Sequence, residues 1–208
     1  MTARLPSSLR LVAPLLALAL GACASSPTTS YYTLLPPGGA PAAVDLRYQI
    51  EVMPVDVPAQ VDVTQMVVRT GSGEVVPVDT RRWIAPLPDE LRSALSWQLT
   101  HALGVRDVAG FAKDGSTPTY RVSLRVQRFD SAPGAYARID ALWSVRALGN
   151  DAAAPVCSSS ANVTVPPGYA ELAQGHQQAL AKIAGDIAAS IRAAQASGKA
   201  PVCSAGGG

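Results

Sequence analysis

The side chains best suited to chemistry are few and lie far apart in this chain. It has two histidines, His101 and His176, and three cysteines, Cys23, Cys157 and Cys203. The sequence contains no HExxH, GxSxG, CxxC or phosphate-loop pattern. A metal site would need a cluster of ligands, and the sequence has none. We therefore predict no catalytic residue, no metal and no cofactor, and we expect a protein that is not an enzyme.

The two histidines and one tryptophan sit on predicted helices. His176 lies at helical spacing between Leu172 and Leu180, which favours a histidine at the rim of the core over a ligand. His101 shares a helix flank with Trp97, and we expect it to be solvated. Trp97 points more than a right angle away from the apolar stripe of its helix. It either packs under a loop or belongs to a protein contact, where tryptophan is enriched.

A second polar surface follows from two strands with alternating side chains. Arg121, Arg125 and Arg138 fall on the polar face, and Asp140 is expected to pair with one arginine across strands. Such a face could bind an anion, although a solvated charge ladder is the favoured interpretation. The Trp97 flank ranks first as a docking surface because aromatic anchors dominate interface energies. The candidate partner-binding residues are Trp97, His101, Arg121, Arg125 and Arg138.

The N-terminus has the parts of a secretion signal. Arg4 and Arg10 precede an apolar run, 11–20, which is too short to span a bilayer. The run ends in Leu20-Gly21-Ala22-Cys23, which resembles the lipobox of bacterial lipoproteins, whose cysteine is acylated and becomes the first residue of the mature chain. We predict a signal peptide over 1–22 and lipidation of Cys23. A secreted protein with a chance cysteine is the alternative.

The mature chain is electrically neutral and carries two further cysteines. Without Arg4 and Arg10, which lie in the predicted signal peptide, the chain has fifteen basic and fifteen acidic residues. A neutral domain argues against nucleic-acid binding, which needs a basic surface. Two cysteines in an exported domain predict a Cys157–Cys203 disulfide, with two free thiols as the alternative. If the last helix folds back along the last strand, the end of the chain returns to the start of that strand.

Alternation and helical periodicity predict one α+β domain over 31–196. It follows a lipidated tether, 23–30, and precedes a flexible C-terminal tail, 197–208. The expected architecture is a two-layer sandwich: a mostly antiparallel or mixed sheet with two amphipathic helices on one face. Gly175 and Gly185 are expected to permit close approach of the last helix. The elements are strands at Tyr31–Leu35 and in "YQIEVMPVDVP", a hairpin of Gln65–Thr70 and Glu74–Val78, the helix "LPDELRSALSWQLTHAL", the strands "TYRVSLRVQRFD", "ARIDALWSVRAL" and "VCSSSANVTV", and the helix "ELAQGHQQALAKIAGDIAASIRAA".

The ordered set of segments resembles a known family. The segments are "YYTLLPP", "IEVMPVDVPAQVDVTQMVVRTGSGEV", "RRWIAPLPDELRSALSWQL" and the two long strands. They are similar to the ABC-type transport auxiliary lipoproteins, the PqiC-like family. The resemblance implies a non-enzymatic subunit that accompanies an ABC permease and ATPase with an MCE-domain protein, or a related intermembrane system. Such systems are thought to move lipids or other hydrophobic molecules between membranes. The positions expected to be structural are Tyr32, Arg82, Trp83 and Pro86.

The same resemblance implies a location in the bacterial cell envelope, facing the periplasm. Ala24 after Cys23 favours the outer membrane over the inner one. Two other classes of function stay open: a structural or assembly lipoprotein, and a lipoprotein that itself binds a lipid ligand. The sequence also leaves homo-oligomer formation and the transported substrate open.

Overall fold

The structure is a computed structural model that describes residues 27–39, 45–112, 115–149 and 153–203. Cys23 and the predicted signal peptide lie outside these residues. The described elements begin soon after the predicted anchor and end close to Cys203. They are β1 (Ser30–Tyr32), β2 (Gln49–Val52), a 3₁₀ turn (Ala59–Val61), β3 (Gln65–Arg69), β4 (Val75–Trp83), α1 (Leu87–Leu103), β5 (Thr119–Ala132), β6 (Tyr136–Ala147), β7 (Cys157–Thr164) and α2 (Tyr169–Ser197).

The described strands form two sheets where the sequence predicted one. The first sheet has the order β1-β4-β3, and the second has the order β2-β5-β6-β7. β1 is parallel to β4 and β2 is parallel to β5, whereas the other neighbours are antiparallel. The predicted α+β class is confirmed, and the single sheet is corrected. The first sheet arises because β4 continues past the predicted end at Val78 to Trp83, and this extra length pairs with β1.

The alternation predicted for the two long strands is confirmed. In the antiparallel pair, Val122 lies opposite Val145 and Leu124 lies opposite Trp143. α2 packs against β6 and β7, and α1 packs against α2 and β2. Both helices therefore cover the apolar face of the second sheet, and its polar face is left open in the described part of the chain. The buried residues of this face are Tyr120, Val122, Leu124, Val126, Ile139, Ala141, Trp143 and Val145.

α1 begins and ends where its sequence predicts, and α2 extends the predicted 171–194 by two residues at its start and three at its end. Pro86 is the N-cap of α1 and Pro88 lies in its first turn, where a missing N–H costs no hydrogen bond. α1 ends at Gly104, which adopts a φ of 66° and donates its N–H to the carbonyl of Thr100. The leucines of the apolar stripe of α1 are buried although Ala102 near its end is exposed, and the stripe of α2 is fully buried. The largest of these side chains are Leu91, Leu95, Leu99, Leu180, Ile183 and Ile187.

Gly175 brings α2 close to the second sheet. A Cβ at this position would lie 2.3 Å from Cγ1 of Val165 and 2.9 Å from Cβ of Ala137. Any larger residue would push the helix away from the sheet. The expectation for Gly185 was wrong, because a Cβ there meets nothing within 4 Å.

The predicted disulfide is present in the structure. Cys157, the first residue of β7, is bonded to Cys203 across a separation of 46 residues. The hydroxyl of Ser190 on α2 donates to the carbonyl of Val202 at 2.6 Å, and Pro201 is buried. Residues 198–203 of the predicted tail are therefore attached to the domain, and residues 204–208 lie outside the described part.

Candidate functional site

The open face of the second sheet carries a groove of about 570 Å³. Ser123 and Ser144 lie opposite each other in the β5–β6 pair, at its centre. Neither serine is buried, and the groove is open to solvent along its length. Its lining combines arginines with apolar side chains, including the exposed Val156. The other lining residues that matter here are Met53, Arg121, Arg125 and Leu142.

The arginines of this groove are paired with carboxylates from the β2 strand and the segment after it. Nε of Arg121 lies 2.7 Å from Oε2 of Glu51, whose residue is buried. Arg125 lies 3.3 Å from Asp56, and both of these side chains are largely exposed. An exposed pair contributes little to stability because water screens it. The Arg125–Asp56 pair can therefore open at little cost and exchange its carboxylate for that of a partner.

Arg121 also faces a second arginine. Arg146 lies directly opposite Arg121 in the β5–β6 pair. Like charges in this position repel each other. Arg146 is exposed, and no carboxylate in the described part of the chain pairs with it. A carboxylate or phosphate brought to this end of the groove would relieve the repulsion.

Asp140 joins a separate cluster farther along the same face. Its carboxylate accepts hydrogen bonds from Nε of Arg138 at 3.0 Å and from the hydroxyl of Ser160 at 2.5 Å. The expectation of a pair across strands is corrected, since Arg138 is on the same strand and the cross-strand Arg128 is farther, at 3.9 Å. Burial alone would raise the pKa of Asp140, but Ser160 and Arg138 hold it below its ordinary value.

Trp97 and His101 form an aromatic pair on α1. Their rings stack with centroids 3.9 Å apart, and Nδ1 of His101 lies 2.9 Å from the carbonyl of Trp97. Both residues are half-buried, so the expectation of a solvated His101 is corrected. The pair lies on the helical side of the domain, away from the groove. The structure thus brings Arg121 and Arg125 together, and Trp97 with His101, but it keeps these two groups apart.

His176 is fully buried instead of lying at the rim of the core. Its ring stacks on Phe129 with centroids 3.9 Å apart, and Nε2 lies 2.8 Å from the hydroxyl of Ser131. Nδ1 has no hydrogen-bond partner in the described part of the protein. Burial lowers the pKa of His176 to about 3, so the imidazole is neutral at physiological pH. The serine is also buried, which makes this a packing contact closed to substrates.

The residues expected to be structural lie around the junction of β1, β4 and α1. Trp83 is buried and packs edge-on against Phe129, with centroids 6.0 Å apart. The carbonyl of Tyr32 accepts the N–H of Ile84, and Arg82 donates to the carbonyl of Asp79. Together with Pro86 at the start of α1, these contacts position the chain where it leaves β4.

Glu90 is a structural residue that the sequence did not single out for this role. Its position in the first turn of α1 suggested only a favourable interaction with the helix dipole. In the structure Glu90 is buried, and Oε2 accepts the N–H of Leu34 at 2.7 Å and the hydroxyl of Thr33 at 2.8 Å. Glu90 therefore clamps the segment that follows β1 onto α1. Sequence could not reveal a contact between residues 56 positions apart.

The described residues contain neither a cluster of metal ligands nor a helix suited to crossing a membrane. No group of three or more His, Cys, Asp or Glu side chains in that part could hold a metal ion. None of the helices in the described ranges is both long and apolar enough to cross a membrane.

Comparison with known proteins identifies the class. The chain belongs to the family of ABC-type transport auxiliary lipoprotein components, which matches residues 32–188. A crystal structure of an uncharacterised protein has 22% identity and a TM-score of 0.63, covering 79% of this chain and 99% of that one. A protein from Xanthomonas campestris has 19% identity and a TM-score of 0.60, covering 83% and 100%. No curated protein matches. These structures support the fold, and the family defines the chain as an auxiliary lipoprotein of ABC-type transport.

Proposed function

We propose that the protein is a non-catalytic subunit, lipid-anchored through Cys23 in the outer membrane and facing the periplasm. In this proposal it docks onto an MCE-domain protein of an envelope ABC transport system that moves lipids or other hydrophobic molecules between membranes. The family supports the auxiliary role in transport. A lipid anchor would hold the domain close to its partner and raise the effective concentration, so a modest interface would suffice.

The observation that carries the docking proposal is the open groove. The helices pack on one face of the second sheet, and the other face presents apolar Leu142 and Val156 beside Arg121 and Arg125. Apolar surface bordered by polar groups is typical of interfaces between proteins that also exist separately. Arg146, which has no carboxylate partner among the described residues, favours a partner surface with carboxylates.

The geometry favours the groove over the Trp97 flank as the main docking surface. Trp97 already stacks on His101 and is half-buried, so a partner would gain less from covering it. Arg125 in the groove, by contrast, has an exposed ion pair with Asp56 whose carboxylate a partner can replace. This ordering reverses the one based on residue type alone.

The experiment is a pull-down of the MCE-domain partner with substitutions that add the same charge at two places. Ser123→Arg fills the centre of the groove, and Gln178→Arg places an arginine on the exposed face of α2. We expect Ser123→Arg to weaken binding at least tenfold and Gln178→Arg to bind like wild type, with both variants folded by circular dichroism. Trp97→Ala should change binding less than Ser123→Arg. If Ser123→Arg binds like wild type, the groove is not the docking surface, and a wild-type protein that captures no envelope partner would contradict docking itself.

A second candidate function is direct binding of a lipid in the same groove. The volume of about 570 Å³ falls in the usual range of small-molecule sites. Met53, Leu142 and Val156 offer apolar contacts in the groove. Arg146 lines an adjoining depression that shares Arg121 with the groove, and it offers a cation for an anionic headgroup. Lipid extraction distinguishes the two candidates: a bound lipid should co-purify with wild type and Gln178→Arg but not with Ser123→Arg. Purified protein without lipid would contradict this second function.

A further inference from the structure

We propose that the hairpin tip rests on the lipid surface that holds the anchor. The hairpin tip is residues 70–76, which are the turn between β3 and β4 and the first two residues of β4. The domain would then touch the membrane at a second point besides the acyl chains of Cys23. This inference rests on the lipidation of Cys23 in the proposed function, and it adds an orientation: the hairpin tip faces the membrane.

The direction of β1 is the first argument. β1 runs parallel to β4, with Ser30 opposite Arg81 and Tyr32 opposite Trp83. The chain that leads into Ser30 therefore arrives from the side on which β4 begins. That side is the hairpin tip, because β4 starts at Val75 directly after the turn.

The length of the tether is the second argument. Cys23 is seven residues before Ser30, and a fully extended chain of this length reaches roughly 25 Å. Val75 is six residues before Arg81 on β4, which is about 20 Å along the strand. A fully extended tether thus brings the anchor level with the hairpin tip. Any less extended tether draws the tip deeper into the lipid headgroups.

The side chains of the hairpin tip suit such a contact. Val75 and Val76 are 46% and 37% exposed. The turn consists of Gly71, Ser72 and Gly73, all exposed and uncharged. Such apolar side chains gain free energy by entering the boundary between headgroups and acyl chains.

The charged groups nearest the hairpin tip are already engaged within the protein. The carboxylate of Glu74 accepts a hydrogen bond from the hydroxyl of Thr70. Nε of Arg69 donates to Asp130 at 3.1 Å, and another of its nitrogens donates to the carbonyl of Ser72. Among residues 70–76 only Glu74 is charged, and its exposed carboxylate can stay hydrated among the headgroups while the valines enter the apolar boundary.

The matched control position lies at the other end of the domain. Arg69 contacts Asp130, so the hairpin tip lies near the end of β5. Phe111 precedes β5 and is 74% exposed. Val108, three residues earlier, donates its N–H to Ile50, which pairs with Tyr120 near the start of β5. The length of β5 between Tyr120 and Asp130 separates the two positions by about 30 Å.

The experiment uses the acylated full-length protein on vesicles of phosphatidylethanolamine with a minority of phosphatidylglycerol. Val75→Cys and Phe111→Cys are each labelled with the same environment-sensitive fluorophore, and quencher-bearing lipid is added to the vesicles. We expect a blue shift and loss of emission for the label at position 75 and neither change at position 111. Cys23→Ser carrying the label at position 75 should lose both signals, because the hairpin tip alone is too small to hold the protein on the surface.

Each contrary outcome has a distinct meaning. If the protein sediments with the vesicles but the two labels behave alike, the membrane contact is wrong and the docking function is untouched. If the label at position 75 changes only when the MCE-domain partner is added, the hairpin tip is a protein-binding surface and this inference is overturned. If the acylated protein does not sediment with vesicles, the anchor at Cys23 fails, and this inference fails with it.

Discussion

The two sheets of this domain are held in place by different kinds of interaction. The β2-β5-β6-β7 sheet is a continuous ladder whose apolar face lies under α2, and the Cys157–Cys203 disulfide joins its last strand to the end of the described chain. The β1-β4-β3 sheet is smaller and depends on single buried groups, such as Glu90 behind β1 and the Trp83–Phe129–His176 cluster. The comparison teaches that one sheet is stabilised by regular burial and a covalent bond, and the other by specific contacts that can be removed one at a time.

The largest expected effect is on the sheet with the disulfide. Replacing both cysteines in Cys157→Ser/Cys203→Ser removes a cross-link over 46 residues, for which the chain-entropy relation gives about 4 kcal/mol of stability. Urea unfolding measures this loss, and wild type in reducing agent should match the double variant. A loss below about 1 kcal/mol would mean that Pro201 and the Ser190–Val202 hydrogen bond hold the segment without the cross-link.

The next effect tests the cluster beside the smaller sheet through pH. The native pKa of His176 is about 3, whereas an unfolded histidine titrates near 6.5. Between these two pH values the histidine is protonated in the unfolded chain but not in the native state. The free energy of unfolding therefore falls as pH falls below 6.5, and His176 does not affect it above that pH. With about 1.4 kcal/mol per pH unit, the loss should be roughly 2–3 kcal/mol from pH 6.5 to 4.5.

His176→Gln is the control for this pH dependence, because glutamine is polar but does not titrate. The free energy of unfolding of His176→Gln should therefore depend less steeply on pH than that of wild type between pH 6.5 and 4.5. The measurement is urea unfolding of both proteins across the window. Equal slopes for wild type and His176→Gln would show that the imidazole is accessible to protons in the native state, contrary to its burial.

The smallest of these effects concerns the clamp behind β1. Glu90→Ala removes the acceptor for the buried N–H of Leu34 and for the hydroxyl of Thr33, and an unsatisfied buried donor costs about 1–3 kcal/mol. Glu90→Gln keeps an acceptor oxygen and should cost less than half as much. The rate of hydrogen exchange at the backbone amide of Leu34 should rise in Glu90→Ala and stay near the wild-type rate in Glu90→Gln. Equal stability of the two variants would contradict the clamp.

Much of the larger sheet was predictable from sequence because its signals are local. Alternation placed Val122 and Leu124 inside, and helical spacing placed Leu91 and Leu95. The hairpin of the smaller sheet was predicted, but the full length of β4 was not, because β4 contains Pro77 and two arginines that break the alternation. Its pairing with β1 depends on contacts between residues that are far apart in the chain.

The candidate site was predictable only in part. Residue type and alternation placed Arg121 and Arg125 on the open face, but their carboxylates come from another strand and the segment after it. The burial of His176 was missed because helical spacing cannot distinguish the rim of a core from its centre. The four-residue spacing of Trp97 and His101 predicts that they share a helix flank, but it does not by itself predict that their rings stack.

The parallel pairing of β1 with β4 also determines how this domain would respond to mechanical force. If the anchor at Cys23 is pulled away from the domain, the force acts along the axis of β1 and not across it. The hydrogen bonds from Ser30 to Tyr32 are then loaded together in shear, so no single bond can open before the others. If these hydrogen bonds break, the force acts next on the hydrogen bonds that Thr33 and Leu34 donate to Glu90. With the proposed anchor in place, these three residues of strand would pass the force from Cys23 into the domain, and they would resist it better in shear than if they were peeled open one bond at a time.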